Sequence, residues 1–157
     1  MGTEIERKYL VDIGAWQPQG AGTHFRQGYL STQQQSVVRV RIEGDVAKLT
    51  IKGASKGLTR AEFEYPIPVD DAAAMLDRLC AQPLIDKHRH REIHHGKTWE
   101  IDVFHGDNDG LVVAEIELGA EDESVTVPAW AVQEVSADPR YFNSNLARHP
   151  YKSWRRG

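Results

Sequence analysis

Glu4-Ile5-Glu6-Arg7-Lys8 is an alternating run. In an extended strand, side chains at i, i+2 and i+4 share one face. Glu4, Glu6 and Lys8 therefore project together, while Ile5, Arg7 and Tyr9 point the other way. Two carboxylates beside one ammonium make a poor core face. They suit a divalent cation next to an anion, because hard cations take oxygen ligands and phosphates take both metal and lysine. A solvated strand face carries the same pattern, so the rest of the chain has to decide.

The pattern recurs. Arg39 and Arg41 alternate with Val38, Val40 and Ile42. Lys48, Thr50 and Lys52 alternate with Leu49 and Ile51. Arg60, Glu62 and Glu64 alternate with Ala61, Phe63 and Tyr65. Glu100 and Asp102 alternate with Trp99, Ile101 and Val103, and Glu115 and Glu117 with Ala114, Ile116 and Leu118. Lys87 and Arg89 also share a face, with His88 and His90 opposite. These segments read period two with charge on one side.

An ordinary antiparallel sheet would bury the apolar face and wet the charged one. Serine, threonine, glutamine and lysine would then mix freely. Here one strand carries only acids, as at Glu115 and Glu117, and another only bases, as at Arg39 and Arg41. A barrel with a charged interior and an apolar exterior under helices accounts for that segregation, and closure removes the sheet edges. Eight strands leave room for one small ligand. A lumen of segregated charges is costly to desolvate without a partner, and a polyanion with metal ions is such a partner. The expected fold is therefore mainly β (α+β): a closed eight-stranded antiparallel barrel with a charged lumen and flanking helices.

Composition bounds the rest. One domain is expected over residues 1–157, at 17.7 kDa. The net charge of −4 gives no global basic patch for nucleic acid, and no apolar run is long enough for a membrane span or leader. Cys80 is the single cysteine and reads as a reduced core residue on a helix over 70–80, with Met75, Leu76 and Leu79 on its apolar side. A cytoplasmic protein is the expectation. Residues 12–23 read as a helical turn and loop, and 52–60 as a mobile loop. Asp138 and Pro139 open a helix that Pro150 stops, with Tyr141, Phe142, Leu146 and Trp154 suited to packing over a barrel end. His88, His90, His94 and His95 have no spacing for a tetrahedral zinc site and read as surface imidazoles. No nucleophile signature or phosphate-binding glycine loop is present.

In chain order, Glu4-Ile5-Glu6-Arg7-Lys8, Gln27-Gly28-Tyr29-Leu30, Val38-Arg39-Val40-Arg41-Ile42, Leu49-Thr50-Ile51-Lys52-Gly53, Arg60-Ala61-Glu62-Phe63-Glu64-Tyr65, Lys87-His88-Arg89, Trp99 to Phe104, Ala114 to Leu118 and Glu134-Val135-Ser136 resemble the CYTH superfamily, the triphosphate tunnel metalloenzymes. The resemblance runs from Thr3 to about Tyr151, and its one departure in the last motif, Ser136 for threonine, keeps the hydroxyl. It implies an eight-stranded tunnel that binds a triphosphate with Mg2+ or Mn2+. On charge, Lys8, Arg39, Arg41, Lys52, Arg60, Lys87 and Arg89 are the candidate phosphate ligands. Glu4, Glu6, Glu64, Asp102, Glu115 and Glu117 are the candidate metal ligands, and Glu62 supports Arg60. Lys87, Glu4, Glu6 and Tyr29 are the candidate catalytic residues. The expected reaction is hydrolysis of inorganic tripolyphosphate to pyrophosphate and orthophosphate by in-line attack of metal-activated water. Adenylyl cyclase and thiamine triphosphatase are the alternatives within the same fold, and a polyphosphate- or nucleotide-binding module is the non-enzymatic one. The expected partner is a small-molecule triphosphate, without nucleic acid or membrane, and with a homodimer as an option.

Overall fold

Alternation becomes ladder geometry in the computed structural model, which describes residues 2–154; residue 1 and residues 155–157 of the expected domain lie outside the described residues. The strands are β1 (Gly2–Val11), β2 (Thr23–Gln33), β3 (Ser36–Glu43), β4 (Val46–Lys52), β5 (Thr59–Ile67), β6 (Ile85–His94), β7 (Lys97–Phe104), β8 (Val112–Glu117) and β9 (Ala131–Glu134). Two α-helices accompany them, α1 (Val69–Arg78) and α2 (Asn143–Arg148).

The first eight strands pair in the order β5-β4-β3-β2-β6-β7-β8-β1, and β1 pairs again with β5, so the sheet closes into an eight-stranded antiparallel barrel. β1 meets β5 through Gly2–Ile5, β8 through Glu6–Leu10 and the extra strand β9 through Tyr9–Val11. The tight β6–β7 hairpin turns on His95 and Gly96, both at positive φ (52° and 75°), as a twist-matched two-residue turn requires.

The apolar faces point outward. Tyr9, Trp16, Trp99, Ile101, Ile116 and Trp130 form one external cluster. Val40 and Ala47 meet Ala72, Leu76 and Cys80 in another, beneath α1. Gly28 allows that approach: a Cβ there would fall 2.7 Å from Leu84 Cδ2 and 2.8 Å from Cys80 Cβ. A third cluster, of Tyr29, Val37, Ile85, Phe104, Leu111 and Val113, lies where β2, β7 and β1 end and β3, β6 and β8 begin. That is one end of the barrel, and Leu146 and Ala147 of α2 plug it.

Several local expectations change. α1 spans Val69–Arg78 behind Pro68 rather than 70–80, and Leu79 is 67% exposed. The C-terminal helix breaks: a 3-10 turn at Pro139–Tyr141, capped by Asp138, is separated from α2 by extended Phe142. The helical turn and loop expected over 12–23 is kept: Ala15 N and Trp16 N donate to the Asp12 carbonyl, and the turn seats buried Trp16. His90 faces away from the lumen, but it is buried edge-on against Trp16 rather than on the surface.

Candidate active site

The inward faces enclose a cavity of about 270 Å3. Its wall is built by register. Across the ladders, Lys8 stands beside Glu115, Arg89 beside Asp102, Arg91 beside Glu100, Glu4 beside Arg60 and Lys52 beside Glu62. Opposite charges side by side stabilise a sheet, and like charges destabilise it. Three neighbours break the rule: Glu6 beside Glu117, Glu100 beside Glu115, and Arg41 beside Lys48. The first two bring carboxylates together and the third brings cations together, with Glu100 reaching Arg89 and Arg91, Glu115 reaching Lys8, and Glu43 bridging Arg41 and Lys48.

Side-chain contacts follow this layout. Lys52 Nζ donates to both oxygens of Glu4 at 3.0 Å and lies 3.5 Å from Glu62. Arg39 donates to Thr50 Oγ1 at 3.2 Å, and Thr50 donates to Glu64 at 2.9 Å. Arg41 and Lys48 both reach Glu43 Oε2 at 3.2 Å. Lys8 Nζ lies 3.5 Å from Glu115 and donates to the Tyr141 carbonyl at 3.2 Å. Arg60 Nε donates to the Gly53 carbonyl at 3.1 Å.

Phe25, Gln27 and Tyr29 give β2 an uncharged inner face. Arg41 and Arg89 sit over the Phe25 ring at 4.8 and 4.9 Å, and Lys87 Nζ at 5.8 Å. A quadrupole under three cations offsets part of their repulsion. Gln27 Nε2 donates to Tyr29 Oη at 3.0 Å. Over the lumen, the β4–β5 loop contributes Ser55, Gly57 and Leu58 to the wall. Glu121 anchors it, accepting from Leu58 N at 3.0 Å and Thr59 Oγ1 at 2.8 Å.

Proton affinities diverge within this wall. Burial, then Glu115 and Glu4, push the Glu6 carboxyl well above the usual range. Burial, then Glu4 and Glu100, raise Glu117. Burial opposes ionisation of Glu115, but Lys8, Arg89 and Lys87 outweigh it and hold that carboxyl well below the usual range. Burial lowers Lys87 to about 7, Arg89 and Arg41 lowering it and Asp102 and Glu115 opposing. Burial, with Arg39 and Arg89, brings Arg41 to about 10. Burial raises Tyr29 despite Arg39, so its phenol keeps its proton.

Oxygen is the donor element on the acidic side, which suits a hard divalent cation. Among the described residues, no three carboxylate, imidazole or thiol groups already converge as a metal site. The donor chemistry of Glu4, Glu6, Glu115 and Glu117 fits a hard divalent cation.

The structure brings Glu4, Glu6, Lys8, Tyr29, Arg39, Arg41, Lys52, Arg60, Glu62, Glu64, Lys87, Arg89, Glu115 and Glu117 to one cavity. Asp102, expected among the metal ligands, does not line the cavity. It is fully buried, and its oxygens accept from Lys87 Nζ at 2.8 Å and from Arg89 Nε and Nη2 at 2.7 and 2.9 Å. In this arrangement Asp102 is the counter-ion of Lys87 and Arg89, as Glu4 is of Lys52. Glu62 pairs with Lys52 rather than Arg60. Glu43, Lys48, Arg91 and Glu100 also line the cavity, and each continues the parity of a residue already selected. Ser136, Phe142 and Asn143 join from outside the eight strands, where strand parity gives no signal.

Residues 2–151 match the CYTH domain. An inorganic triphosphatase of Acetivibrio thermocellus is 46% identical over 155 residues, covering 99% of both chains. An inorganic triphosphatase of Nitrosomonas europaea is 36% identical, covering 92% of this chain and 97% of the relative. A crystal structure of an inorganic triphosphatase superposes with a TM-score of 0.66 at 34% identity, covering 94% of this chain and 95% of the other.

Proposed function

The chain belongs to the CYTH family, and we propose that it is a metal-dependent triphosphatase that converts inorganic tripolyphosphate to pyrophosphate and orthophosphate. The observation that carries the reading is the cross-strand register, which pairs most lumen charges yet sets Glu6 beside Glu117, Glu100 beside Glu115 and Arg41 beside Lys48. A bound cation and polyanion together offset these like-charge contacts. The two relatives and the solved structure carry the name inorganic triphosphatase, which supports the same substrate class.

Glu4, Glu6, Glu115 and Glu117 would hold Mg2+ or Mn2+, with Glu64 nearer the phosphate ligands. When bound, the cation neutralises charge on phosphoryl oxygens and acidifies water. Arg39, Arg41 and Arg89 supply forked donors to the phosphate chain, and Lys8, Lys52 and Arg60 add positive charge. Asp102 fixes Lys87 and Arg89 in place. Lys87, brought to about 7 by burial and by Arg89 and Arg41, accepts a proton from water attacking in line with the departing pyrophosphate. Tyr29 Oη donates to a phosphoryl oxygen. Charge developing at the terminal phosphoryl group meets pre-placed cations, which is the main catalytic contribution in phosphoryl transfer. We read the chain as one domain, and its single buried thiol, Cys80, suits the cytosol.

Phosphate release from tripolyphosphate, ATP, thiamine triphosphate and pyrophosphate, with cyclic AMP assayed in parallel, tests this reading. Fastest turnover of tripolyphosphate is expected. Cyclic AMP as the main product from ATP, or binding without turnover of any triphosphate, would replace it.

A further inference from the structure

Asn143 is the first residue of α2, the helix that closes one barrel end, and it also lines the cavity. Its Oδ1 accepts from Lys87 Nζ at 3.0 Å and from Gln27 Nε2 at 3.3 Å. Two donors on the oxygen fix the orientation of the amide, because oxygen and nitrogen of one carboxamide cannot exchange without losing both bonds. The Nδ2 group, with two N–H bonds, has no hydrogen-bond partner among the described residues. Beside it, Tyr29 Oη accepts from Gln27 Nε2 and retains its own proton to donate. The plugged end of a cationic tunnel thus presents neutral donors around Lys87.

We propose that Asn143 is a substrate-binding residue whose Nδ2 donates to the phosphoryl group seated at the plugged end of the tunnel. This rests on the triphosphatase reading and deepens it. The cations of the wall attract phosphate from any direction, whereas a carboxamide held by Lys87 and Gln27 offers donors along one direction. It therefore sets how far the chain of phosphates enters and which phosphoryl group lies beside Lys87. A shorter anion that reaches the plug leaves the outer cations unpaired, and one held by the outer cations leaves Asn143 unpaired.

The experiment compares Asn143→Ala, Asn143→Asp and Asn145→Ala with the wild type in Mg2+. Steady-state kinetics on tripolyphosphate are measured with calorimetric binding of a tripolyphosphate analogue carrying NH bridges. Asn143→Asp keeps an Oδ1 acceptor for Lys87 and Gln27 while deleting the donor. The added carboxylate also repels a polyanion, so the two roles are separated in the neutral Asn143→Ala: a residue that only positions Lys87 predicts a lower kcat and a shifted pH profile with affinity unchanged. The donor role predicts weaker binding, by about tenfold in Asn143→Ala and about a hundredfold in Asn143→Asp. KM should rise in parallel, with kcat of Asn143→Ala within about threefold of wild type. Asn145, whose amide donates to the Pro139 carbonyl on the same helix, controls for disturbance of the plug and should leave affinity unchanged. Wild-type affinity in Asn143→Ala overturns the proposal, as does an equal loss in Asn145→Ala. If Asn143→Ala does not fold, the neutral and nearly isosteric Asn143→Leu, which also lacks the donor, takes its place. A wild-type protein that neither binds nor hydrolyses tripolyphosphate overturns the functional reading and this inference together; wild-type turnover with intact Asn143→Ala affinity overturns only the inference.

Discussion

Glu6 stands directly beside Glu117 across the β1–β8 ladder, two carboxylates where a stable sheet would set opposite charges. Burial, then Glu115 and Glu4, raise the Glu6 carboxyl, and burial, then Glu4 and Glu100, raise that of Glu117. A divalent cation relieves this repulsion, so it should stabilise the fold as well as support turnover. Chelator should abolish phosphate release, and Mg2+ or Mn2+ should restore it and raise Tm by several degrees. Full turnover in excess chelator would remove the acidic pairs from the mechanism.

Glu117 and its neighbour Ile116 separate site from scaffold. Ile116 is 1% exposed, in the external cluster with Trp99 and Tyr9. Ile116→Ala should lower stability by roughly 2–5 kcal/mol, with normal kcat in the folded fraction. Glu117→Ala should abolish most activity and leave Tm unchanged or higher, because it removes a crowded charge. Urea unfolding and phosphate release on both variants check this; the reverse pattern would invert the inside-outside assignment of β8.

Phe25 tests whether an uncharged ring organises the cationic wall. Arg41, Arg89 and Lys87 lie over its ring, and each such contact is worth about 0.5–2 kcal/mol. Phe25→Leu keeps an apolar side chain but deletes the quadrupole. Stability should fall by roughly 1–3 kcal/mol, and KM for tripolyphosphate should rise several-fold. Unchanged KM and unfolding midpoint would make Phe25 ordinary packing.

Strand parity made the barrel wall legible, because a period of two is insensitive to the exact ends of β1, β3, β4, β5, β7 and β8. Parity assigns a face but not a partner: only the ladder to β6 shows both Asp102 oxygens bound to Lys87 and Arg89. Glu43 extends the Arg39–Arg41 alternation and was available on the same logic. The plug was not. Pro139 predicts one continuous helix, but Phe142 is extended and places its ring 5.7 Å from Lys8 Nζ. The break at Phe142, absent from any local pattern, starts α2 at Asn143 and brings that residue to the cavity.

Lys87 carries the pH dependence. It is 1% exposed, and burial together with Arg89 and Arg41 brings it to about 7, from an ordinary 10.5. Asp102 does not prevent this, because its single negative charge is shared with Arg89. In the unfolded chain Lys87 holds its proton up to its ordinary value; in the substrate-free fold it releases it near 7. Between these values the unfolded state binds more protons, so this group makes stability rise with pH from about 7 to about 10.5 and adds no slope below 7. Lys87→Met should flatten that rise in urea-unfolding curves. A bound triphosphate pulls the other way and raises Lys87. For activity, a base at Lys87 predicts kcat/KM climbing through about pH 7. Lys87→Arg keeps the charge but cannot deprotonate in this range, so it should lose about 10²-fold or more in rate, and the rise with it. A modest loss with the alkaline rise intact would leave Lys87 as a phosphate clamp and assign the ionisation to another group.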